Sequence, residues 1–188
     1  MLGSRRGDTL VEVMVAFAIF GLVVVSCVSI MNRGIAIAQT SLETTLVRQQ
    51  IDSQAELLRF ARDESPTIWS QIKANTGTPL DLADYSGSCP NTMPSGAFFL
   101  SIDSAGDITY NSLSSPASNF ETAGVYSQFD VEISSPKAKG MWVIARNVTD
   151  ALSSAPATDM HIGTCWNTAG ENSRPATLGT IVRLYDNS

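Results

Sequence analysis

Polar and apolar positions divide the chain into two parts with different periodicities. Between Leu10 and Met31 the only strongly polar side chains are Glu12, Ser26 and Ser29. A helix rises about 1.5 Å per residue, so a helix over this run is long enough to cross the hydrocarbon core of a bilayer. The pattern therefore predicts a membrane-spanning helix at residues 10–31.

The helical period continues beyond this run. Apolar residues recur at spacings of three and four in two successive stripes: Ile35, Ala38, Leu42 and Leu46, then Val47, Ile51, Ala55 and Leu58. Charged residues occupy other positions of the same segment: Arg48, Asp52, Glu56, Arg59 and Arg62. Since no proline precedes Pro66, we expect one nearly continuous helix from Thr9 to Asp63 with an amphipathic outer half.

After Pro66 the pattern becomes that of short strands and turns. A short helix is predicted at Thr67–Lys73 and a long loop at Gly77–Ser95. Three strand pairs follow: Ala97–Ile102 with Ile108–Ser112, Tyr126–Ile133 with Met141–Val148, and Met160–Trp166 with Thr180–Tyr185. We expect an α+β fold, in which the outer half of the long helix covers one face of a largely antiparallel sheet of about four to six strands.

Charge and cysteine content narrow the possible functions. The formal net charge of −6 and the scattered Lys and Arg argue against nucleic acid as a partner. Cys27 lies in the apolar run, whereas Cys89 and Cys165 lie in the polar remainder. Outside the cytoplasm Cys89 and Cys165 would pair as a disulfide, and the alternative is two buried free thiols.

The hexapeptide Gly7–Glu12 stands at the start of the apolar run. Thr9 and Glu12 have the spacing of a capping box, in which each side chain satisfies a free amide at a helix start. A carboxylate at the edge of a bilayer is costly without a partner. A second interpretation is that cleavage after Gly7 creates an amine at Asp8, and that Glu12 pairs with this amine on a neighbouring subunit.

The sequence Arg6–Glu12, followed by an apolar helix, resembles the N-terminus of type IV prepilins and of type II secretion pseudopilins. The resemblance implies a leader at residues 1–7, a long helix at 8–63 with its membrane or filament core at 10–31, and a sheet domain at 64–188. It implies cleavage after Gly7, N-methylation at Asp8 and assembly through Glu12, while the capping role of Thr9 follows from its spacing to Glu12. It also implies a disulfide near the C-terminus, which Cys89 and Cys165 would form.

The resemblance further implies a structural role, and from the residues themselves we expect no catalytic site, cofactor or metal. The expected partners are like or related pilin subunits, a prepilin peptidase, an assembly ATPase and a membrane platform protein. Arg5 and Arg6 before the helix predict a cytoplasmic N-terminus for a single-pass precursor in the cytoplasmic membrane, which becomes part of a cell-surface filament. Asp8 departs from the family, which usually has an apolar residue there, and this favours a minor subunit.

Three other interpretations remain open at this stage. Pseudopilins of secretion or competence systems use the same architecture. In a lipid-anchored binding protein, the Val24–Cys27 segment would be a lipoprotein signal and Cys27 the mature N-terminus. A signal-anchored enzyme would keep Met1, but the sequence has one histidine and neither a nucleophile motif nor a phosphate-binding loop.

His161 and Cys165 are four residues apart in the sequence. On a strand this separation is too great for the two side chains to bind the same metal ion.

Overall fold

The computed structural model describes residues 8–80, 88–113, 119–130, 136–149, 156–168 and 175–186. The chain forms two compact units, Met1–Ser41 and Leu42–Ser188. The boundary between them lies inside the first helix, α1, which spans Asp8–Glu64. Its ends differ by one residue each from the predicted Thr9–Asp63.

The first unit consists of helix in its described part. Every side chain from Leu10 to Ser41 is exposed. The helix runs through Gly21 and Gly34 without interruption, and a Cβ at either glycine would meet no atom within 4 Å. The predicted continuity of the helix is therefore confirmed.

In the second unit, α1 buries one stripe of apolar side chains. Five members of this stripe are at most 6 % exposed, at spacings of three and four: Val47, Ile51, Ala55, Leu58 and Ala61. The first predicted stripe is not buried within the chain, since Ile35 and Leu42 are exposed and Leu46 is half-buried. A second helix, α2 (Pro66–Ala74), begins with proline at its first turn and buries Trp69 and Ile72.

The described residues after α2 form eight strands: β1 (Ala97–Ile102), β2 (Ile108–Ser112), β3 (Phe120–Glu121), β4 (Gln128–Asp130), β5 (Lys137–Lys139), β6 (Met141–Thr149), β7 (Pro156–Asn167) and β8 (Pro175–Tyr185). Five of them form one antiparallel sheet in the order β2-β1-β6-β7-β8. The other three form a small sheet in the order β3-β5-β4, in which β3 and β5 run parallel.

The predicted hairpin between Tyr126–Ile133 and Met141–Val148 is wrong. Strand β4 pairs with β5, which lies in the predicted turn, and β6 pairs with β1 and β7 in the large sheet. Gly140 separates β5 from β6 with a φ of +64°, a left-handed conformation that favours glycine. A Cβ at Gly140 would lie 2.3 Å from the carbonyl oxygen of Cys165, so a side chain cannot be accommodated. Residues 131–133 of the predicted strand lie outside the described residues.

The central strands of the large sheet are covered on both faces. Neighbouring residues of a strand point to opposite faces, and both Cys165 and Trp166 of β7 are buried. Cys165 is bonded to Cys89 on one face, while Trp166 reaches α1 on the other. Phe99 of β1 stacks on Phe129 of β4 at a centroid distance of 5.2 Å. The sequence predicted that the long helix covers one face of the sheet. It did not predict the small sheet, which covers the other face.

Candidate assembly surface

The apolar surface of the first unit is the largest unpartnered feature in the described part of the chain. We call residues 10–37 of α1 the apolar segment. Its large exposed apolar side chains are 43–71 % exposed: Leu10, Val11, Val13, Met14, Val15, Phe17, Ile19, Phe20, Leu22, Val23, Val24, Val25, Val28, Ile30, Met31, Ile35 and Ile37. An exposed apolar area of this extent marks contact with a membrane or with other proteins.

The apolar segment has the length and composition of a membrane span. An 18-residue window in this helix has a mean hydropathy of 2.8, and none of it is buried within the chain. Ser26 donates a hydrogen bond of 2.8 Å to the carbonyl oxygen of Leu22, so its hydroxyl is satisfied inside the helix. This internal bond lowers the cost of placing Ser26 in lipid or between packed helices.

Glu12 is one of two charged residues in the apolar segment, the other being Arg33. The side chain of Glu12 is exposed and has no hydrogen-bond or ion-pair partner among the described residues. The backbone of Asp8 and Thr9 is helical, whereas their side chains and all of Gly7 lie outside the described part. The cleavage, methylation, capping and assembly roles of these residues therefore stay predictions.

Of the three cysteines, two are bonded to each other. Cys89 and Cys165 form a disulfide with a Cα–Cα distance of 5.5 Å, whereas Cys27 is free and exposed on α1. The amide of Cys165 donates to the carbonyl of Gly140 at 2.8 Å. The Ser127 hydroxyl lies 3.1 Å from the Cys165 carbonyl and 2.8 Å from that of Gly140. The disulfide thus ties the loop around Cys89 to the junction of the two sheets.

His161 lies in the middle of β7, opposite Ile144 on β6 and Ile181 on β8. Burial lowers the pKa of its imidazole, and the positive charge of Arg146 acts in the same direction against the attraction of Asp159. The described residues contain no cluster of three or more His, Cys, Asp or Glu side chains that would hold a metal ion.

A shallow cavity of about 460 Å³ lies beside His161. Its lining is mostly apolar: Leu80, Trp142, His161, Ile162, Gly163, Gly179, Thr180 and Ile181. His161 is its one titratable side chain among these residues. General acid and base chemistry commonly uses paired groups, and this lining does not supply such a pair.

Sequence reasoning missed two buried polar residues of α1, Glu43 and Gln54. The signal was available in their spacing, since Glu43 precedes Val47 by four residues and Gln54 follows Ile51 by three. Both therefore belong to the buried stripe. Their partners, Trp166 and the backbone of Leu100, are 123 and 46 residues away in the sequence.

Comparison with known proteins gives one match, and it covers the region of the hexapeptide. Residues 3–28 match the family described as prokaryotic N-terminal methylation motif. Neither a curated protein nor a solved structure matches the chain. The matched residues include Gly7, Glu12 and most of the apolar run. The chain therefore carries the N-terminal methylation motif that is the hallmark of type IV pilin and pseudopilin precursors.

Proposed function

We propose that this protein is a structural subunit of an extracellular type IV pilus-type filament. The observation that carries the proposal is the conjunction of the methylation motif with an apolar segment that is exposed along its whole length. Such motifs imply processing by a prepilin peptidase and assembly into pilus-like filaments in general. The motif and the helix together fit a membrane-anchored precursor and a surface filament, a structural class of protein rather than an enzymatic one.

The apolar segment has two environments in this proposal. Before assembly, residues 10–31 lie in the cytoplasmic membrane, with the N-terminus held in the cytoplasm by Arg5 and Arg6. Cleavage after Gly7 and methylation at Asp8 give the mature subunit, residues 8–188. Extraction from lipid then moves the same surface into contact with the helices of neighbouring subunits, which offer it an equally apolar environment.

Filament growth follows from a repeated head-to-tail contact. A heterologous interface that does not close generates a helical filament, with the N-terminal helices inside and the sheet domains outside. The subunits are like or related pilins. Energy for extraction comes from an assembly ATPase acting through a platform protein, because the sequence shows no phosphate-binding loop.

Glu12 has the role of an assembly residue in this mechanism. The cost of a carboxylate in the helical core is offset when it pairs with the N-terminal amine of a neighbour, and such a buried pair fixes register. Asp8 adds a second carboxylate beside the same amine. Competition of Asp8 for the amine within one subunit weakens pairing between subunits, which favours a minor subunit over an abundant shaft subunit.

The mature N-terminus separates this proposal from the alternatives of other classes. Mass spectrometry of the protein from its native membrane is expected to show methylated Asp8 as the first residue. A lipidated Cys27 would establish the lipoprotein alternative, and a retained Met1 would establish a signal-anchored protein. Helix α1 continues unbroken through Cys27, unlike the flexible tether that normally follows a lipidated cysteine.

The assembly role of Glu12 has its own test. We expect Glu12→Ala to be cleaved after Gly7 but to be nearly absent from sheared filaments, as measured by immunoblotting of membrane and filament fractions. Glu12→Gln keeps the hydrogen-bonding capacity of a cap and loses only the charge. If both variants enter filaments in the same amount as the wild type, Glu12 serves only as a helix cap.

A further inference from the structure

Charged residues are sparse along α1 before the helix reaches the domain core. Between Asp8 and Val47 the sequence has two charged residues besides Asp8 and Glu12, namely Arg33 and Glu43. A charge placed among packed apolar helices is costly unless an opposite charge meets it. In a filament, each of these two residues therefore needs a partner.

Arg33 has no such partner among the described residues of its own chain. Its side chain is exposed, and it makes no hydrogen bond or ion pair with any residue that the structure describes. Before assembly it lies just beyond the membrane span, where water and lipid headgroups solvate a guanidinium. Extraction of the helix from the membrane removes this solvation, so the guanidinium of Arg33 then needs a carboxylate partner.

Glu43 is a carboxylate held in place by the domain. It is the first buried residue of α1 after Leu10, with 6 % of its surface exposed. The indole Nε1–H of Trp166 donates to its Oε2 at 3.2 Å, and Trp166 is 2 % exposed. Among the described residues, every fully buried side-chain nitrogen or oxygen has a hydrogen bond, so Oε1 of Glu43, which has none, keeps some access to solvent.

We propose that Arg33 of one copy of this chain binds Glu43 of a neighbouring copy, and the pairing rests on the filament function proposed above. The indole fixes the carboxylate through one oxygen and leaves the other for a charge-assisted hydrogen bond from the guanidinium. Asp8 and Glu12 are less suitable partners for Arg33, because in the mature subunit both lie next to the terminal amine. Glu43, in contrast, has only the neutral indole.

The pairing is a heterologous contact, in which two different positions of neighbouring subunits meet. Arg33 and Glu43 are ten residues apart in the sequence. Each subunit presents one Arg33 and one Glu43, so the contact repeats from copy to copy without closing.

Cysteine cross-linking in assembled filaments tests the pairing. In a Cys27→Ser background, the filaments that still form from the full chain carrying Arg33→Cys and Glu43→Cys are treated with a bifunctional maleimide long enough to span an arginine–glutamate pair, since a direct disulfide would need a shorter distance. The products are separated by denaturing electrophoresis. We expect a ladder of dimers, trimers and longer oligomers, because every subunit contributes both positions. The matched pair Arg33→Cys and Gln50→Cys, two turns further along α1, is expected to give monomers.

A second test removes the charges without disrupting the fold. Glu43→Gln keeps a side-chain oxygen that accepts the hydrogen bond from the Trp166 indole. We expect Arg33→Gln and Glu43→Gln each to lower the assembled fraction at physiological salt by about tenfold. The double variant should lose no more than either single variant, because one interaction is removed in all three. Arg48→Gln, an exposed cation one turn beyond Glu43, is the control and is expected to assemble normally.

The outcomes separate this pairing from the filament proposal. Filaments of the Arg33→Cys, Glu43→Cys variant that give no ladder, or additive losses in the double glutamine variant, would overturn the pairing and leave the filament function intact. A ladder from Arg33→Cys with Val11→Cys would place Arg33 beside the neighbour's N-terminus and would also overturn it. A wild-type protein that is processed but never enters filaments would overturn both.

Discussion

The carboxamide of Gln54 makes two hydrogen bonds to the backbone of Leu100. Its Nε2 donates to the Leu100 carbonyl at 2.8 Å, and its Oε1 accepts from the Leu100 amide at 3.1 Å. Strand β1 pairs with β6 only at Ala97 and Phe98. Gln54 of α1 therefore takes the place of a strand partner at Leu100 and attaches the helix to the sheet.

Removing this side chain is expected to destabilise the domain. Gln54→Ala leaves a buried amide and a buried carbonyl without partners, at a cost of about 1–3 kcal/mol for each group. Urea unfolding of the full chain in detergent micelles, followed by tryptophan fluorescence, measures the loss. Gln49→Ala, at an exposed position of the same helix, is the matched control and should unfold like the wild type. Equal midpoints for the two variants would contradict the role of Gln54.

The disulfide is expected to be a major source of stability in the second unit. Cys89 and Cys165 are 76 residues apart, and closing a loop of this size stabilises a fold by about 4 kcal/mol as an upper estimate. We expect the double variant Cys89→Ser, Cys165→Ser to unfold at a clearly lower urea concentration than the wild type. Cys27→Ser removes the free thiol and should leave the midpoint unchanged. A reductant should move the wild type to the midpoint of the double variant.

The parts of the fold that the sequence predicted are those encoded by local periodicity. The stripe from Val47 to Leu58 repeats every three or four residues over several turns, and this alone identifies the helix and its buried face. Strands β1 and β2 were predicted with their bounds because the Asp103–Asp107 segment is a strong turn signal. Neither inference required knowledge of a distant residue.

The parts that were not predicted depend on long-range partners. Strand β5 has three residues, too few for a periodic pattern, and it forms because Ala138 packs opposite Phe129 of β4. The hydrogen-bond partner of Glu43 is Trp166, which lies 123 residues further along the sequence. The spacing of apolar residues shows that Glu43 faces inward. It does not show which side chain donates a hydrogen bond to its carboxylate, so the contact between Glu43 and Trp166 becomes visible only in the structure.

Gly163 is expected to tolerate no side chain. A Cβ at this position would lie 2.7 Å from the indole ring of Trp142, which is itself 2 % exposed. Since the indole cannot move into solvent without exposing its surface, Gly163→Ala should destabilise the domain by about 1–3 kcal/mol. The near-ultraviolet circular dichroism of the protein, to which Trp142 contributes with two other tryptophans, should change as well. Gly124→Ala, where a Cβ meets nothing within 4 Å, is the control. An unchanged spectrum in Gly163→Ala would contradict this packing.

The ion pair between Asp159 and Arg183 predicts how stability depends on pH. The guanidinium donates from Nε to Oδ1 at 2.7 Å and from a terminal nitrogen to Oδ2 at 2.8 Å. These hydrogen bonds lower the pKa of the Asp159 carboxyl, against the opposing effect of its burial. The folded state therefore binds this proton less readily than the unfolded state, and acid favours unfolding.

The sign and the pH window follow from that direction. The contribution of Asp159 is fully present above the pKa of an unfolded aspartate, about 3.9, and is lost as the pH falls through the lowered pKa of the folded state. We expect Asp159→Asn to be less stable than the wild type near neutral pH, with a difference that shrinks below about pH 4. Urea unfolding at successive pH values measures it. Asp52→Asn, exposed on α1, is the control, and a difference for Asp159→Asn that stays constant with pH would show that the lost contribution is not the charge.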